Sequence, residues 1–151
     1  MTKKTLLVSA INSGTVIDHI SSGQALRIIQ ILDLASGKQK VTVGINLQSK
    51  SMGIKDIIKL ENKRLSSEEA KQVAVFSPYA TINIIENYLV EKRFKVSVPR
   101  VLKNLLRCPN SFCITNRELM GTHFDVKKLR ENIHLHCKYC EKFFLEDEIK
   151  A

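Results

Sequence analysis

The chain has 151 residues and a mass of 17.1 kDa, which suits one domain or one small domain with an accessory module. Apolar residues make up 44% of it, the globular norm, which argues against a disordered chain. No apolar run approaches the roughly 18 residues that cross a bilayer, and the run over 6–11 is shorter than the core of a signal peptide. We therefore expect a cytoplasmic protein.

The net charge of +9 is concentrated in the first hundred residues. Residues 1–100 carry 15 Lys and Arg against 8 Asp and Glu, whereas residues 101–151 carry 9 against 7. A positive field of this kind suits an anionic ligand, either nucleic acid or a phosphorylated small molecule. General solubility is the alternative that charge alone leaves open.

Hydrophobic periodicity predicts six strands and two helices in the first hundred residues. In chain order they are strands over 5–11 and 15–20, a helix over 21–37, strands over 41–47 and 53–61, a helix over 66–78, and two extended pieces over 80–96 that meet at a turn near Glu86 and Asn87. Helices interspersed among strands in this way predict an α+β fold, with two helices packed on one face of a largely antiparallel sheet.

Local signals place the helix ends. Ser21 or Ser22 can cap the first helix and Gly37 can end it. Ser66 and Glu69 have the spacing of a capping box, and the second helix should stop at Pro78.

The segment around Pro99 predicts a domain boundary near 97–101, and hence domains over 1–98 and 99–151. The second domain has short β-prone pieces, and a helical pattern only over 125–132. About 50 residues bury too little apolar surface to fold reliably alone, so this module needs a cross-link.

All the cysteines lie in that module, as Cys108-x4-Cys113 and Cys137-x2-Cys140. Each pair can present two sulfurs to one ion, and four thiolates complete a closed tetrahedral zinc site without room for a catalytic water. We expect a small β domain of zinc-ribbon type with one structural Zn²⁺.

Alternatives to this zinc site remain open from the sequence. Two disulfides are disfavoured in a cytoplasmic protein, and a redox role for Cys137 and Cys140 leaves the other pair unexplained. His134 or His136 could replace a thiolate. The module is near neutral once metallated, so a protein partner fits it at least as well as nucleic acid.

Five blocks follow one another along the chain: GTVIDHI, MGIKDIIKLEN, ATINIIENY, CPNSFCI and CKYCEK. They closely resemble the regulatory chain of aspartate carbamoyltransferase, from end to end. The resemblance implies a non-catalytic allosteric subunit of pyrimidine biosynthesis. Its N-terminal domain would be ferredoxin-like and bind nucleoside triphosphates, and its C-terminal zinc domain would dock on the catalytic chain.

The resemblance also implies an assembly in which regulatory-chain homodimers bridge catalytic trimers, with no role for nucleic acid or membrane. CTP would inhibit and ATP would activate, and in some members of the family UTP would reinforce CTP. The residues implied in nucleotide binding are Ala10, Ile11, Asp18, His19, Lys59, Asn83, Ile85, Tyr88, Val90 and Arg93.

Within this implied set, Asp18 accepts from the ribose hydroxyls, His19 lies close to the phosphates, and Lys59 bridges sugar and base. Arg93, with Lys92 beside it, departs from the family's lysine, and the two cations differ in phosphate geometry. Ser9 stands where some relatives carry an acidic residue.

Each of these residues also has an ordinary explanation. Asp18 and His19 could form a surface ion pair, the cations could be solvated, and Ile85 and Val90 could belong to the core; Asn83 is harder to dismiss because Asn is depleted in strands. Neither a P-loop nor a GxGxxG stretch occurs in the sequence, so nothing indicates catalysis. The alternative function is a nucleic-acid-binding zinc ribbon, which a pI of about 9.5 favours.

Overall fold

A computed structural model of the chain describes residues 10–130 and 132–149, which form two β-sheets with short helices. The predicted strand over 5–11 falls mostly outside the described residues. Of its last two residues, neither Ala10 nor Ile11 belongs to a strand.

The first sheet has five strands. Its elements in chain order are β1 (Gly14–Ile20), α1 (Ala25–Ile31), β2 (Val41–Ser49), β3 (Gly53–Glu61), α2 (Ser67–Phe76), β4 (Thr81–Glu86) and β5 (Leu89–Lys95). The strand order is β2-β3-β1-β4-β5, and neighbouring strands are antiparallel. The first four strands and the two helices have ferredoxin-like connectivity, to which β5 adds an edge strand. The predicted α+β class is confirmed.

The inner face of this sheet carries an apolar core. Ile17 of β1 pairs with Ile58 of β3 and Ile82 of β4, and all three are fully buried. They belong to the same buried cluster as Ile28 of α1 and Val73 of α2. Because successive side chains of a strand alternate between faces, residues one position away point to the outer face, away from α1 and α2.

Helix α1 is shorter than the sequence predicts. Its first residue is Ala25, and Gln24 at the N-cap provides no side-chain cap, so neither Ser21 nor Ser22 fulfils that role. The helix ends at Ile31, and Asp33, just after the C-cap Leu32, has a φ of 52°. The N–H of Leu34 donates to the Ile29 carbonyl at 3.0 Å, which is the Schellman arrangement. The predicted end at Gly37 is therefore wrong, because Asp33 takes the left-handed position four residues earlier.

Helix α2 begins as predicted. The Glu69 N–H donates to Ser66 Oγ at 3.1 Å, and the Ser66 N–H donates to Glu69 Oε1 at 3.0 Å, so the capping box is confirmed. The helix ends at Phe76, just before Pro78. No helix among the described residues is long and apolar enough to cross a membrane.

The turn between β4 and β5 lies at Asn87 and Tyr88, one residue later than expected. Both residues have positive φ, 52° and 64°, as a type I′ hairpin turn requires. The Tyr88 N–H donates to the Asn12 carbonyl at 2.9 Å, which holds the turn against the chain segment before β1.

The second sheet forms the C-terminal module. Its elements are β6 (Val101–Lys103), α3 (Ile114–Arg117), β7 (His123–Leu129), β8 (Asn132–Cys137) and β9 (Phe143–Leu145), followed by a 3-10 helix over Glu146–Glu148. The sheet order is β6-β7-β8-β9. The helix indicated over 125–132 does not form, because β7 occupies most of this stretch and pairs with β6 on one side and β8 on the other. Its Phe124 is fully buried beneath the sheet.

The module packs against the helices of the first sheet, and one buried apolar cluster runs through both. Gln72 Nε2 of α2 donates to the Leu105 carbonyl at 2.7 Å. Lys128 Nζ lies 4.4 Å from the centre of the Tyr79 ring, a cation–π contact between the two parts.

Candidate functional site

The outer face of the first sheet bears a cavity of about 220 Å³. Nine of the ten residues that the resemblance implies in nucleotide binding line it, namely Ala10, Ile11, Asp18, Lys59, Asn83, Ile85, Tyr88, Val90 and Arg93. Val16 and Ile57 are the other described residues that line it. The structure thus brings together residues that are up to 83 positions apart in the sequence.

The register of the sheet explains this convergence. Val16 of β1 pairs with Lys59 on one side and with Asn83 on the other, and Asn83 pairs in turn with Arg93 of β5. These four side chains form a row across four adjacent strands, with a cation at each end and an amide between them. Alternation then places Asp18 on the same face, two residues after Val16.

The polar groups of the row are held in place. Arg93 Nε donates to Asn83 Oδ1 at 2.7 Å, and Asn83 Nδ2 lies 3.4 Å from the Val16 carbonyl oxygen. Asn83 is only 5% exposed, so its amide is buried but paired. This pairing orients the guanidinium at the edge of the cavity.

Asp18 is the acidic residue among the described residues of the lining. Lys55 Nζ lies 2.8 Å from Asp18 Oδ1, which also accepts from the His19 N–H at 2.6 Å. Burial raises the pKa of Asp18, but the hydrogen bonds from Lys55 and the His19 N–H outweigh it, so the pKa lies below its ordinary value. Asp18 is therefore an anionic acceptor at neutral pH.

Lys59 is buried at the same cavity. Burial lowers its pKa from the ordinary lysine value, and the charge of Asp18 acts in the opposite direction. An anionic ligand in the cavity would favour the charged form of this ammonium group.

His19 is the one predicted residue that lies elsewhere. β1 has an extra residue between Ile17 and Ile20, and His19 there has a φ of 56°. Its ring lines a neighbouring cavity of about 880 Å³, where Nδ1 lies 3.2 Å from Thr81 Oγ1. A bulge re-aims a side chain in this way, and the sequence carries no signal for it.

Sequence reasoning missed three contributors, Val16, Ile57 and Lys55. Val16 and Ile57 share the faces of Asp18 and Lys59, so strict alternation could have identified them. Lys55 also shares the face of Lys59, because it lies four residues before Lys59 on β3.

The second candidate site is the group of four cysteines in the C-terminal module. Their Sγ atoms all lie within 4.8 Å of one another. The Cys108–Cys140 and Cys113–Cys137 sulfur pairs are each separated by 3.8 Å. A tetrahedron of sulfurs around an ion at about 2.3 Å has edges of about 3.8 Å, so the donor set fits a tetrahedral metal. A disulfide would need about 2.05 Å, and all four thiols are free.

The loops around these cysteines are shaped for the site. Glu141 has a φ of 62°, and its N–H returns to the Cys137 carbonyl at 2.9 Å, which closes the Cys137–Cys140 loop. Asn116 Nδ2 donates to the Cys108 carbonyl at 2.9 Å. Thr115 Oγ1 donates to Cys113 Sγ at 3.2 Å. The first two contacts hold the loop backbone, and the Thr115 donor favours the thiolate form of Cys113 as a metal ligand.

The thiols differ in their environments. Burial raises the pKa of Cys108 and of Cys137. At Cys140 burial acts in the same direction, but hydrogen bonds from the Lys142 N–H and from Asn110 outweigh it and lower the pKa to about 7. His136 is instead stacked on Phe143, with ring centres 4.4 Å apart, and the metal-competent group found among the described residues contains cysteines alone.

Comparisons with known proteins match both parts of the chain. Residues 6–97 match the family model "Aspartate carbamoyltransferase regulatory chain, allosteric domain", and residues 100–150 match "Aspartate carbamoyltransferase regulatory chain, metal binding domain".

Individual relatives agree over nearly the whole length. A protein named aspartate carbamoyltransferase regulatory chain from Aeromonas salmonicida is 42% identical over 96% of this chain and 94% of its own. Proteins of the same name from Photobacterium profundum and Vibrio campbellii are 45% and 43% identical, over 95% and 97% of this chain and 94% and 97% of their own. The chain therefore belongs to the family of aspartate carbamoyltransferase regulatory chains, as a non-catalytic subunit with an allosteric and a metal-binding domain.

Proposed function

We propose that this regulatory chain binds CTP and ATP in the cavity on the outer face of the first sheet. The observation that carries the proposal is the convergence of nine of the ten expected residues on one cavity. Its chemistry suits a nucleotide, because it offers two cations, a carboxylate that can accept from ribose hydroxyls, and backbone groups for the base edge.

The base would lie at the end of the cavity near Tyr88 and Val90, where the Tyr88 N–H bonds to the Asn12 carbonyl. The ribose would lie beside Asp18 and Lys59. The cavity of about 220 Å³ is too small for a whole triphosphate, since ligand pockets usually exceed about 300 Å³. The phosphates would therefore extend over the open surface.

Arg93 is the cation that we assign to the phosphates. Its Nε is bonded to Asn83, which leaves the Nη1 and Nη2 edge as the fork that phosphate oxygens prefer. His19 remains a proposed neighbour of the phosphates, on the far side of the bulge.

Calorimetric titration of the full metal-loaded chain with CTP and with ATP tests this assignment. We expect the two nucleotides to compete for one site. Lys59→Ala should weaken both by about tenfold to a hundredfold, because it removes a charged hydrogen-bond donor. Lys38→Ala, which removes the same charge outside the cavity, should leave both affinities unchanged. Equal affinities in the two variants would contradict the cavity assignment.

We further propose that the four cysteines hold one structural Zn²⁺. When bound, the ion would cross-link the two cysteine loops and supply no other chemistry, because four thiolates leave no open position. The residues of this chain would present the sulfurs and exclude water. Free thiols suit the reducing cytoplasm, where we place the protein.

The metal-binding module would dock on the catalytic chain, and pairs of regulatory chains would bridge catalytic trimers. The module has large apolar side chains exposed to solvent, among them Phe112 at 79%, Leu119 at 108% and Phe143 at 72%. Such side chains favour a protein partner. Co-purification with the catalytic chain and the mass of the complex test this part.

Regulation would follow from thermodynamic linkage between nucleotide binding in the cavity and the quaternary state of the assembly. A nucleotide that makes different contacts in two quaternary states shifts their equilibrium, with a coupling of about 1–3 kcal/mol. CTP would favour the low-activity assembly, more strongly with UTP, and ATP the high-activity assembly. Activity of the reconstituted complex with each nucleotide tests the signs.

Nucleic-acid binding is the second candidate, and a pI of about 9.5 favours it. The C-terminal module opposes it, because its small positive charge is offset by a thiolate-bound zinc ion. Oligonucleotide affinity that falls steeply with salt would support the second candidate against the first.

A further inference from the structure

Asp56 of β3 lies where both neighbouring strands are irregular. β1 has an extra residue between Ile17 and Ile20, and β2 has one between Gly44 and Leu47, both beside Asp56. A bulge interrupts the ladder of backbone hydrogen bonds. Side-chain contacts must therefore help to hold these strands together at this level.

The Asp56 carboxylate provides such contacts. Oδ2 accepts from the N–H groups of Gly23 and Ala25 at 3.0 and 3.2 Å, and Oδ1 accepts from the Asn46 N–H at 3.0 Å. Asp56 is fully buried. It thus satisfies amides at the start of α1, where Gln24 provides no side-chain cap, and it holds the bulge of β2.

Lys55, the residue before Asp56, points to the opposite face and contacts Asp18, which lines the cavity. Its Nζ lies 2.8 Å from Asp18 Oδ1. Since successive side chains of a strand point to opposite faces, this dipeptide of β3 is anchored to the cavity on one side and to α1 on the other.

Helix α1 also contacts the metal-binding module. Arg27 Nη1 donates to the Glu146 carbonyl at 3.0 Å, and the guanidinium lies 5.9 Å from the centre of the Phe76 ring. The helix is only seven residues long, so a displacement at its first turn reaches Arg27 within one turn.

We propose that Asp56 is a positioning residue that ties the cavity to helix α1, and that α1 transmits displacement of the Asp18–Lys55 pair to the metal-binding module through Arg27. The use of this connection in regulation rests on the proposed function. The connection itself requires no nucleotide, so the two ideas can fail separately.

Amide hydrogen exchange of the full metal-loaded chain, without nucleotide, tests the connection. Lys55→Met removes the ion pair but keeps the aliphatic stem. Exchange at Gly23 and Ala25 should become about fivefold faster, the effect of weakening one hydrogen bond. Exchange at Ile149, whose N–H bonds to the Glu146 carbonyl, should rise by about twofold. Lys38→Met is the matched control and should change neither region.

Two further variants test the two connections separately, from the Asp18–Lys55 pair to α1 and from α1 to the metal-binding module. In an Arg27→Met background, Lys55→Met should still accelerate Gly23 and Ala25 but no longer Ile149. Asp56→Asn removes one acceptor oxygen. In that background, Lys55→Met should not accelerate amide exchange at Gly23, Ala25 or Ile149. If Asp56→Asn fails to fold, the Lys55 and Arg27 variants still decide. Faster exchange around Asp18 with unchanged Gly23, Ala25 and Ile149 would overturn the proposal.

Discussion

The two sheets of this chain are held together in different ways. Among the described residues up to Val96, 15 apolar residues belong to the buried cluster, and none is a cysteine. Ten such residues are found in the described part of the C-terminal module, and three of them are Cys108, Cys113 and Cys137. The module's core is thus partly composed of its metal ligands.

This difference separates the two proposed tasks. The cavity lies on a sheet whose order comes from apolar burial, so it needs no metal to form. The docking surface lies on a module of about 50 residues, a size at which burial alone rarely suffices. Removal of the metal should therefore abolish assembly and spare nucleotide binding.

The largest expected effect is the loss of one thiolate. Structural zinc contributes about 10–16 kcal/mol of apparent binding free energy in small domains, and that energy drives their folding. Cys140→Ala should therefore empty the site and unfold the module. Bound zinc per chain should fall to near zero, and amide protection should be lost in β7 and β8 but kept in β1, β3 and β4.

Lys142→Ala is the control for this variant, because it changes an exposed side chain in the same loop. Zinc content and protection should match the unmodified chain. A Cys140→Ala chain that still assembled with catalytic chains would contradict a structural metal.

A core truncation in the first sheet should be the next largest effect. Ile58 is fully buried, and truncation of such a residue to Ala costs about 2–5 kcal/mol of unfolding free energy. Ile58→Ala should destabilise the first sheet in denaturant while zinc content stays the same. Ile54→Ala, on the same strand but 46% exposed, should have little effect. Equal losses in both variants would mean that burial does not stabilise this sheet.

The contacts of Asp18 should contribute a smaller amount to the free energy of unfolding, and acid should remove that contribution. The pKa of Asp18 is below its ordinary value, so its contacts stabilise the folded chain above about pH 4 and are lost as the pH falls through the lowered value. Asp18→Asn should cost about 1 kcal/mol at pH 7. The gap to the unmodified chain should close in acid. Urea unfolding from pH 7 downwards measures this gap, and a gap that widened in acid would reverse the sign.

The smallest effect concerns the contact between the two regions. Tyr79→Leu removes the cation–π contact with Lys128 and should cost about 0.5–1 kcal/mol. A double-mutant cycle with Lys128→Met isolates that contact. Strictly additive losses would show that this pair does not join the two regions.

Much of this architecture follows from local sequence patterns. The capping box of Ser66 and Glu69 and the apolar alternation of β2 involve residues close together in the chain, so short-range rules are sufficient. The cysteine spacing likewise predicts a four-sulfur group, because each pair lies in one loop.

The features that the sequence did not predict correctly depend on contacts with residues far away in the chain. The start of α1 is capped by Asp56, more than thirty residues away, so no signal near Ser21 indicates it. The bulge that turns His19 away from the cavity arises from pairing with β3. The stretch over 125–132 looks helical by spacing, but pairing with β6 and β8 decides its conformation.

The most direct test of the account compares metal-loaded and chelated chain in one preparation, with CTP affinity measured by calorimetry and assembly by binding to the catalytic chain. The account predicts CTP affinities that agree within about twofold, the scale expected when only distant contacts are lost, and assembly that disappears with the metal. Loss of CTP affinity on chelation, or assembly that survives it, would contradict the division of tasks between the two sheets.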